Sequence, residues 1–487
     1  MSQRTNQFRY IFDPKSVAVI GASNSFGSWG YGVMSRLVKN SSRQIYPVNN
    51  NGTKVMGIKA YKQITDIPWS VDFAVISVPY TQIPNIMTQC VTKQIKAALI
   101  ISGGFSETDD NGTLFEKEIL DIAQKGNISF IGPNSMGHID TTSGFSTLAW
   151  VKNVAKGPIG FISQSGTYGQ RIVRNGMEIG LGFSKFISAG NESDLTTEDY
   201  LEYLGEDDST KLIILYIEGL RDGNRFFKIA KKITKTKPII VLKAGKTKGA
   251  AIAAKSHTAA IIGDDQIYDA MFRQAGVIRV DEDDEVFDVV MAMLHLPLPE
   301  GKNIGILTDG GGIGVVAADA CESEGLELSI FSKKTMNSLN NLLPSRWSHG
   351  NPVDMAAPGE LVMFDCLRAI LTDENVDTVL LIGGIGIDEA LYEMANDDDK
   401  NKDIVDSLIS DLKKQELVNV NDIHKQIHRC KKPLLVSRLF PKTAAINPAI
   451  YSKLFELGIP VYRSPERAAK ALRHLVWYSQ YLKTCSL

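Results

Sequence analysis

Short runs of β-branched and other apolar residues recur along the chain, and longer amphipathic stretches separate them. Runs of this length are typical of buried strands, whereas the stretches 226–236 and 264–275 have helical spacing. Alternation of strand and helix predicts parallel, doubly wound α/β sheets. The predicted strands include 16–20, 73–78, 97–101, 160–163, 212–216, 239–243, 304–308 and 378–382.

The length of 487 residues exceeds what one hydrophobic core usually organises. Proline and glycine interrupt the pattern near 150–158 and again at 296–301. We therefore predict three domains. They are a Rossmann-like domain at 1–150 and two flavodoxin-like doubly wound domains at 151–298 and 299–487.

Charge and cysteine content exclude several classes of function. The formal net charge is only -2, which gives no reason to expect a nucleic-acid or membrane-surface partner. The five cysteines are far apart and form no C-x-x-C motif, so we expect neither a disulfide framework nor a metal site. No signal core or membrane-spanning run is found, and we expect a cytoplasmic protein.

The polar segment 397–402 and the charged region 411–428 break the strand and helix alternation. Charged runs of this kind are usually solvated. We expect a surface helix and loop that form a solvated insertion.

A glycine-rich loop from Gly21 to Gly32 follows the first predicted strand and opens a helix. Such a turn can bring a diphosphate close to backbone N–H groups. An NAD site would add a carboxylate at the end of the second strand, 44–48. Here Asn49 and then Lys54 follow that strand instead. Amides and lysines favour a ligand with an extra ribose phosphate, as in CoA.

A second anion site is predicted after strand 160–163. Ser163, Gln164, Ser165 and Gly166 precede or open another helix, and small residues there expose unpaired N–H groups. An ordinary helix cap would explain one serine, but it explains the whole cluster less well. We therefore expect phosphate binding here.

His257 lies in Lys255-Ser-His-Thr258, after a glycine- and alanine-rich stretch. Neutral imidazole is a good nucleophile near pH 7, and a phosphohistidine stays reactive enough to pass its phosphoryl group on. A carboxylate on the other ring nitrogen would fix the tautomer. Glu218, which follows strand 212–216, is the residue of the right type.

A third glycine-rich turn, Gly310, Gly311 and Gly312, follows strand 304–308 and opens an alanine-rich helix. A phosphate-sized site at this helix N-terminus is a further prediction. Asp309 places a negative charge beside it.

Many short segments together resemble a known family, the ADP-forming acetyl-CoA synthetases and the related succinyl-CoA ligase α subunits. The resemblance runs from about Phe12 to Tyr481. Two departures are Ala259, where the family has glycine, and Asp309, where it more often has Asn-Ala-Gly-Gly. The segments are 46–49, 77–79, 101–105, 132–137, 190–194, 216–223, 237–243, 256–258, 273–279, 351–354, 432–437 and 458–467.

The resemblance implies roles for individual residues. It implies that His257 and Glu218 are catalytic, and that the three-glycine turn faces the Ser165-Gly166 loop. It also implies a CoA site whose residues 78–79 flank the adenine or pantetheine and whose residues 134–136 border the thioester. The implied CoA-binding residues are Gly21, Ala22, Ser23, Asn49, Val78, Pro79, Ile101, Ser102, Asn134 and Ser135.

The implied activity is reversible conversion of acyl-CoA, phosphate and ADP into a carboxylic acid, CoA and ATP. The ATP-grasp domain of fused relatives is not found in this sequence, so a separate β subunit that carries ADP or ATP with Mg²⁺ is expected, in an α2β2 assembly. Acetate is the family default, but the sequence leaves the acid, the choice of ADP or GDP, and the direction open.

Three alternatives stay open from the sequence. The chain could be a non-catalytic CoA or acyl-CoA sensor, which the presence of both His257 and Glu218 disfavours. A Rossmann oxidoreductase is disfavoured by the missing ribose carboxylate. A related ligase that activates citrate or succinate would differ only in substrate.

Overall fold

The computed structural model describes residues 5–39, 43–250, 264–355, 362–385, 402–438 and 448–486. The chain divides into two compact units, Met1–Asp283 and Asp284–Leu487. Among the described helices, none combines the length and the apolar character that a bilayer crossing requires.

The first unit contains two sheets. The first sheet has five parallel strands in the order β2-β1-β3-β4-β5. Its strands are β1 Ser16–Ile20, β2 Gln44–Val48, β3 Phe73–Ile76, β4 Ala97–Ile100 and β5 Ser129–Ile131. Its helices are α1 Thr5–Phe12, α2 Trp29–Lys39, α3 Ile83–Thr92 and α4 Asp110–Lys125, with 3-10 turns at Ile64–Asp66 and Tyr80–Gln82.

The second sheet of this unit has the order β12-β11-β10-β8-β9-β6-β7. Strands β8 to β12 are parallel, and the β6–β7 hairpin extends the sheet in antiparallel fashion. The strands are β6 His138–Asp140, β7 Phe145–Ser146, β8 Lys156–Ser163, β9 Phe183–Ser188, β10 Leu212–Ile217, β11 Ile239–Lys243 and β12 Ile278–Val280. The helices are α5 Gly166–Glu178, α6 Thr197–Glu206, α7 Gly223–Ile233 and α8 Asp265–Ala275.

The second unit is built on a third parallel sheet, β14-β13-β16-β17-β18, with β15 paired to β13. Its strands are β13 Asn303–Thr308, β14 Glu327–Leu328, β15 Val353–Asp354, β16 Thr378–Ile382, β17 Leu434–Ser437 and β18 Val461–Tyr462. Its helices are α9 Asp283–His295, α10 Gly311–Ser323, α11 Lys333–Leu342, α12 Met363–Leu371, α13 Lys402–Cys430, α14 Pro448–Glu456 and α15 Pro465–Ser486.

The predicted fold class is confirmed: parallel strands alternate with helices in all three sheets. The helix expected at 411–428 is found, and residues 397–401 of the polar segment lie outside the described residues, but the expected solvation of the helix needs correction. Residues 411–428 belong to α13, whose inner face is not solvated, because Val420, Ile423 and Ile427 are buried in the core of the second unit. Apolar residues spaced by three and four place one face of this charged helix in the core, next to α12 and α14.

An aromatic cluster around His138 ties the two sheets of the first unit together. The His138 ring is fully buried, contacts Phe12 and Phe73 edge-on, and places its Nε2 atom 2.8 Å from the Ile11 carbonyl oxygen. Since that carbonyl can only accept, the imidazole Nε2 carries the proton and donates. Burial lowers the pKa of His138 to about 4, so the ring packs as a neutral aromatic group.

Replacing Phe73 should therefore destabilise the first unit strongly. Phe73 is fully buried, and Phe73→Ala leaves a cavity that costs about 3–5 kcal/mol of unfolding free energy. Leu114→Ala is the control, because Leu114 is 66% exposed on α4 and its loss should cost less than about 0.5 kcal/mol. Urea denaturation of both variants measures the difference. Equal losses would contradict this assignment of the core.

Candidate functional site

Each sheet of the first unit contains a point where the chain reverses its direction of winding. After β1 the chain crosses to β2 on one side, and after β3 it crosses to β4 on the other. After β8 it crosses to β9, and after β10 to β11 on the opposite side. Ligands of open parallel sheets bind in the crevices at such points, outside the carboxyl ends of the strands. The predicted sites lie at both.

The first crevice lies between the loop after β1 and the residue after β3. Gly21 has φ +88°, and a Cβ atom there would lie 2.5 Å from the Ser77 carbonyl oxygen. A Cβ atom on Gly30 would lie 1.9 Å from the Gly21 carbonyl oxygen. Only glycine permits this close passage of strand, turn and helix, which leaves the backbone accessible to a phosphate group.

Asn24 was not among the predicted residues, but it joins this loop to the one after β2. Its amide donates to the Lys54 carbonyl oxygen (2.9 Å) and accepts from the Met56 N–H (2.9 Å). Lys54 is thereby held next to the glycine-rich loop. The predicted Asn49 instead uses its side chain within its own loop, where it contacts Thr53.

Among the other predicted CoA residues, Val78, Ser102 and Asn134 are joined by hydrogen bonds across the strand ends. The Ser102 hydroxyl donates to the Val78 carbonyl oxygen (2.5 Å), and the Asn134 N–H donates to the Ser102 carbonyl oxygen (2.9 Å). Ile101 continues β4 through its N–H bond to the Ile76 carbonyl oxygen. The structure thus brings these separate segments to one edge of the sheet.

Residues 134–137 connect the first crevice to the second, which lies outside the carboxyl ends of β8 and β10. The Ser135 hydroxyl donates to the Ser188 carbonyl oxygen (2.5 Å), and the Ser188 hydroxyl accepts from the Met136 N–H (3.0 Å). A Cβ atom on Gly166 would lie only 2.0 Å from Met136 Cγ, so this loop packs directly on the first turn of α5. The predicted thioester border and the predicted phosphate loop are therefore neighbours.

The loop after β8 begins α5 with a regular N-cap. The Ser165 hydroxyl accepts from the Tyr168 N–H (3.4 Å), and the buried Ser163 hydroxyl donates to the Ser165 carbonyl oxygen (2.6 Å). Both serine side chains thus shape the turn. The first turn of a helix presents N–H groups that have no helical acceptor, and Gly166 permits close approach to them.

Glu218 follows β10 and is only 5% exposed. Its backbone N–H donates to the Gln164 Oε1 atom (2.6 Å), which fixes the residue beside the phosphate loop. The ammonium group of Lys243, at the end of the adjacent β11, interacts electrostatically with Glu218. Burial lowers the pKa of Lys243, and this ammonium contributes a positive charge near the carboxylate.

Glu192 was not among the predicted site residues, although it belongs to the family-like segment 190–194 and lies within the second crevice. It accepts hydrogen bonds from the Gln164 amide (2.9 Å) and the Thr197 hydroxyl (2.5 Å). Burial raises the pKa of Glu192 to about 8, and the nearby Glu198 charge acts in the same direction. The cluster of polar residues directly after a buried strand was the sequence signal for it.

The glycine turn of the second unit has acidic surroundings. Gly310 is the N-cap of α10, and the Thr308 hydroxyl donates to its carbonyl oxygen (3.0 Å). A Cβ atom on Gly311 would lie 2.9 Å from the Asp354 Oδ2 atom. Carboxylates at a helix N-terminus are favourable but compete with a phosphate for the same N–H groups. The phosphate role of 310–312 stays a prediction.

His257 lies in the segment 251–263, outside the described residues. Its predicted contact with Glu218 therefore stays a prediction. Among the residues that the structure does describe, no group of three or more histidine, cysteine, aspartate or glutamate side chains is arranged to hold a metal ion.

Two family models match consecutive ranges of the chain. Residues 15–140 match the family model of a CoA binding domain, and residues 156–293 match that of a succinyl-CoA ligase like flavodoxin domain. The two matched ranges contain the first and second crevices respectively.

Individual relatives extend the similarity over nearly the whole chain. The chain is 41% identical to the ADP-forming acetate–CoA ligase II subunit alpha of Pyrococcus furiosus, over 77% of this chain and 81% of the relative. It is 38% identical to an ADP-forming acetate–CoA ligase of Methanocaldococcus jannaschii, over 98% of this chain but only 64% of that longer relative.

A solved structure has the same fold. It is the dinucleotide forming acetyl-coenzyme A synthetase 1 of Candidatus Korarchaeum cryptofilum, in complex with phosphate and ADP. The TM-score is 0.82 at 28% identity, with 99% of each chain covered.

The close passage at Gly30 predicts a specific loss of CoA binding. In Gly30→Ala the new methyl group would overlap the Gly21 carbonyl oxygen, so the β1–α2 turn must move. We expect the Kd for CoA, measured by titration calorimetry, to rise at least about tenfold. Gly223→Ala is the control, because only the Met271 sulfur, at 4.0 Å, would approach the added methyl. Unchanged CoA affinity in Gly30→Ala would contradict this location of the site.

The raised pKa of Glu192 predicts a pH-dependent stability difference. The folded state keeps a proton at Glu192 up to a pKa of about 8, whereas the unfolded chain loses it near 4.5. Wild-type stability is therefore lost as pH rises between these values. Glu192→Gln removes this dependence. The unfolding free energy of Glu192→Gln minus that of wild type should therefore increase by roughly 2–3 kcal/mol between pH 5.5 and pH 8. A difference that does not change with pH would refute the raised pKa.

Proposed function

The chain belongs to the family of ADP-forming acetate–CoA ligases, matching their α subunits, and we propose that it forms acyl phosphate from acyl-CoA and carries the phosphoryl group on His257. The reaction is reversible, so the same chain also supports acyl-CoA synthesis. The observation that carries the proposal is the contact between the two crevices through residues 134–137.

That contact supports a thioester at the border of the two crevices. CoA bound in the first crevice directs its sulfur end along the strand edge, toward Asn134 and the first turn of α5. A phosphate at that turn attacks the thioester carbonyl carbon. The carbon–oxygen bond forms, the carbon–sulfur bond breaks, and the thiolate leaves with a proton from the phosphate as free CoA.

The second step transfers the phosphoryl group to His257. The imidazole nitrogen attacks phosphorus, the bond from phosphorus to the carboxyl oxygen breaks, and the carboxylate leaves. Glu218 accepts a hydrogen bond from the other imidazole nitrogen and stabilises the cation that forms. Backbone N–H groups at the start of α5 offset the charge on the transferred group, which is the main requirement of phosphoryl transfer.

The third step needs a partner. We propose that an ATP-grasp β subunit supplies ADP and Mg²⁺ and accepts the phosphoryl group from phosphorylated His257 in an α2β2 assembly. The Pyrococcus furiosus relative is named as subunit alpha, which supports a separate partner subunit. The Methanocaldococcus jannaschii relative is longer than this chain, which supports a partner domain fused to it in other lineages.

The test is direct detection of the phosphorylated chain. The purified protein is incubated with phosphate and a panel of acetyl-, branched-chain, hydroxyacyl- and aryl-CoA thioesters, and then analysed by intact mass and phosphopeptide mapping. We expect an acid-labile adduct on the peptide that contains His257, and none in His257→Ala. The acyl group that gives the fastest labelling identifies the acid.

Glu218→Gln is the matched control for the role of the carboxylate. The amide keeps the shape but loses the charge, so labelling should slow by about 10²-fold or more while acyl-CoA affinity is kept. Absence of any adduct in wild type, with CoA binding intact and a candidate β subunit present, would favour a non-catalytic CoA sensor instead.

A further inference from the structure

We propose that Gln164 is a positioning residue for Glu218, and that Glu192 sets the orientation of its amide. The inference rests on the proposed function and refines one of its sites. The sequence pattern assigned Gln164 to phosphate binding, whereas its side-chain contacts are directed to the backbone that carries the proposed histidine partner.

The three residues follow three adjacent strands. Gln164 follows β8, Glu218 follows β10 and Glu192 comes shortly after β9. Since β8 lies between the other two and pairs in parallel with both, the strand ends meet at one edge. The Gln164 N–H also continues the ladder to the Tyr216 carbonyl oxygen (3.1 Å). Gln164 therefore lies beside Glu218 and Gly219, the two residues that it would hold.

The Gln164 amide uses its hydrogen-bonding capacity within the protein. Its Oε1 atom accepts from the N–H groups of Glu218 (2.6 Å) and Gly219 (3.2 Å). Its Nε2 atom donates to the Gly219 carbonyl oxygen (2.8 Å) and to Glu192 Oε2 (2.9 Å). The side-chain amide offers two donor hydrogens and two acceptor lone pairs, and these four contacts occupy them all.

This arrangement permits only one orientation of the amide. Rotating it by 180° would face the NH₂ group of Gln164 toward two backbone N–H groups and its oxygen toward a carbonyl and a carboxyl oxygen. Because the residue is only 7% exposed, water cannot easily relieve such contacts. The amide thus clamps the Glu218–Gly219 backbone through the N–H of Glu218 and both the N–H and the carbonyl oxygen of Gly219.

Glu192 completes the clamp because it provides a fixed acceptor. Its other carboxyl oxygen contacts the hydroxyl of Thr197 (2.5 Å), which is fully buried in α6. Arg221 lies nearby and donates to the Asn191 carbonyl oxygen (2.6 Å), which secures the preceding residue. A buried glutamate is costly unless its oxygens are satisfied, so this contact set indicates a dedicated role.

The test is a double-mutant cycle on the rate of His257 phosphorylation in a single turnover. In Gln164→Glu, the second carboxyl oxygen would face the Gly219 carbonyl and Glu192, so the clamp opens. We expect labelling at pH 7.5 to slow at least tenfold while the Kd for acyl-CoA stays within twofold. Partial recovery at pH 6 is expected, because a protonated glutamate can again donate a hydrogen bond.

The second arm combines Gln164→Glu with Glu218→Gln. If Gln164 acts through Glu218, its replacement should cost less than threefold once the Glu218 carboxylate is gone. A general structural defect would instead slow the double variant by the product of the two single effects. Such additivity would overturn the proposal.

Variants of Glu192 provide an independent check should Gln164→Glu fail to fold. Glu192→Gln keeps an acceptor oxygen and should label within twofold of wild type, whereas Glu192→Met removes it and should resemble Gln164→Glu. Equal rates in both Glu192 variants would overturn the proposal. If the wild-type protein is never labelled at His257, the proposed function and this inference are both overturned. If wild type is labelled but the rate losses of the two single variants are additive in the double variant, this inference alone is overturned.

Discussion

The first unit depends on the hydrogen bonds that join two sheet edges at Ser135 and Ser188. Their hydrogen bonds join the loop after β5 to the end of β9, so the carboxyl ends of two parallel sheets face a common region. Buried hydrogen bonds between a hydroxyl and the backbone hold geometry well, because a broken contact leaves an unsatisfied polar group. The neighbouring Met136 then packs on Gly166, where any larger residue would be excluded.

The polar residues of the second crevice illustrate how such a site is made stable. Gln164, Glu192 and Glu218 are each less than a tenth exposed, and burial of three polar side chains costs stability unless they bond to one another or to backbone. Here the side-chain amide of Gln164 accepts hydrogen bonds from the backbone N–H groups of Glu218 and Gly219, which lie beyond the end of β10. Rigidity of this kind suits the phosphoryl transfer proposed for this site, since positioning provides much of the rate of such a reaction.

Much of the fold could be predicted from local pattern. The predicted strands 16–20, 239–243 and 378–382 agree with the structure at both ends, because buried parallel strands are continuous apolar runs. The helix expected at 411–428 is found, but its description as a solvated insertion was wrong, since Val420, Ile423 and Ile427 of α13 are buried in the core. The candidate site was predicted less completely: a polar cluster after a strand marks the region of Glu192, but the distant partners that Asn24 and Glu192 bond to cannot be read from a local motif.

The sequence by itself determined the class of sheet, the positions that require glycine and the residue types able to carry phosphate. These are local properties, because strand length, backbone freedom and imidazole chemistry belong to short segments. Only the tertiary structure decided which strand ends become neighbours. Gln164 looks like part of a phosphate loop in the sequence, but the order of β9, β8 and β10 places it between Glu192 and Glu218. Strand order arises from the packing of the whole sheet, so the partner of each side chain is a non-local property.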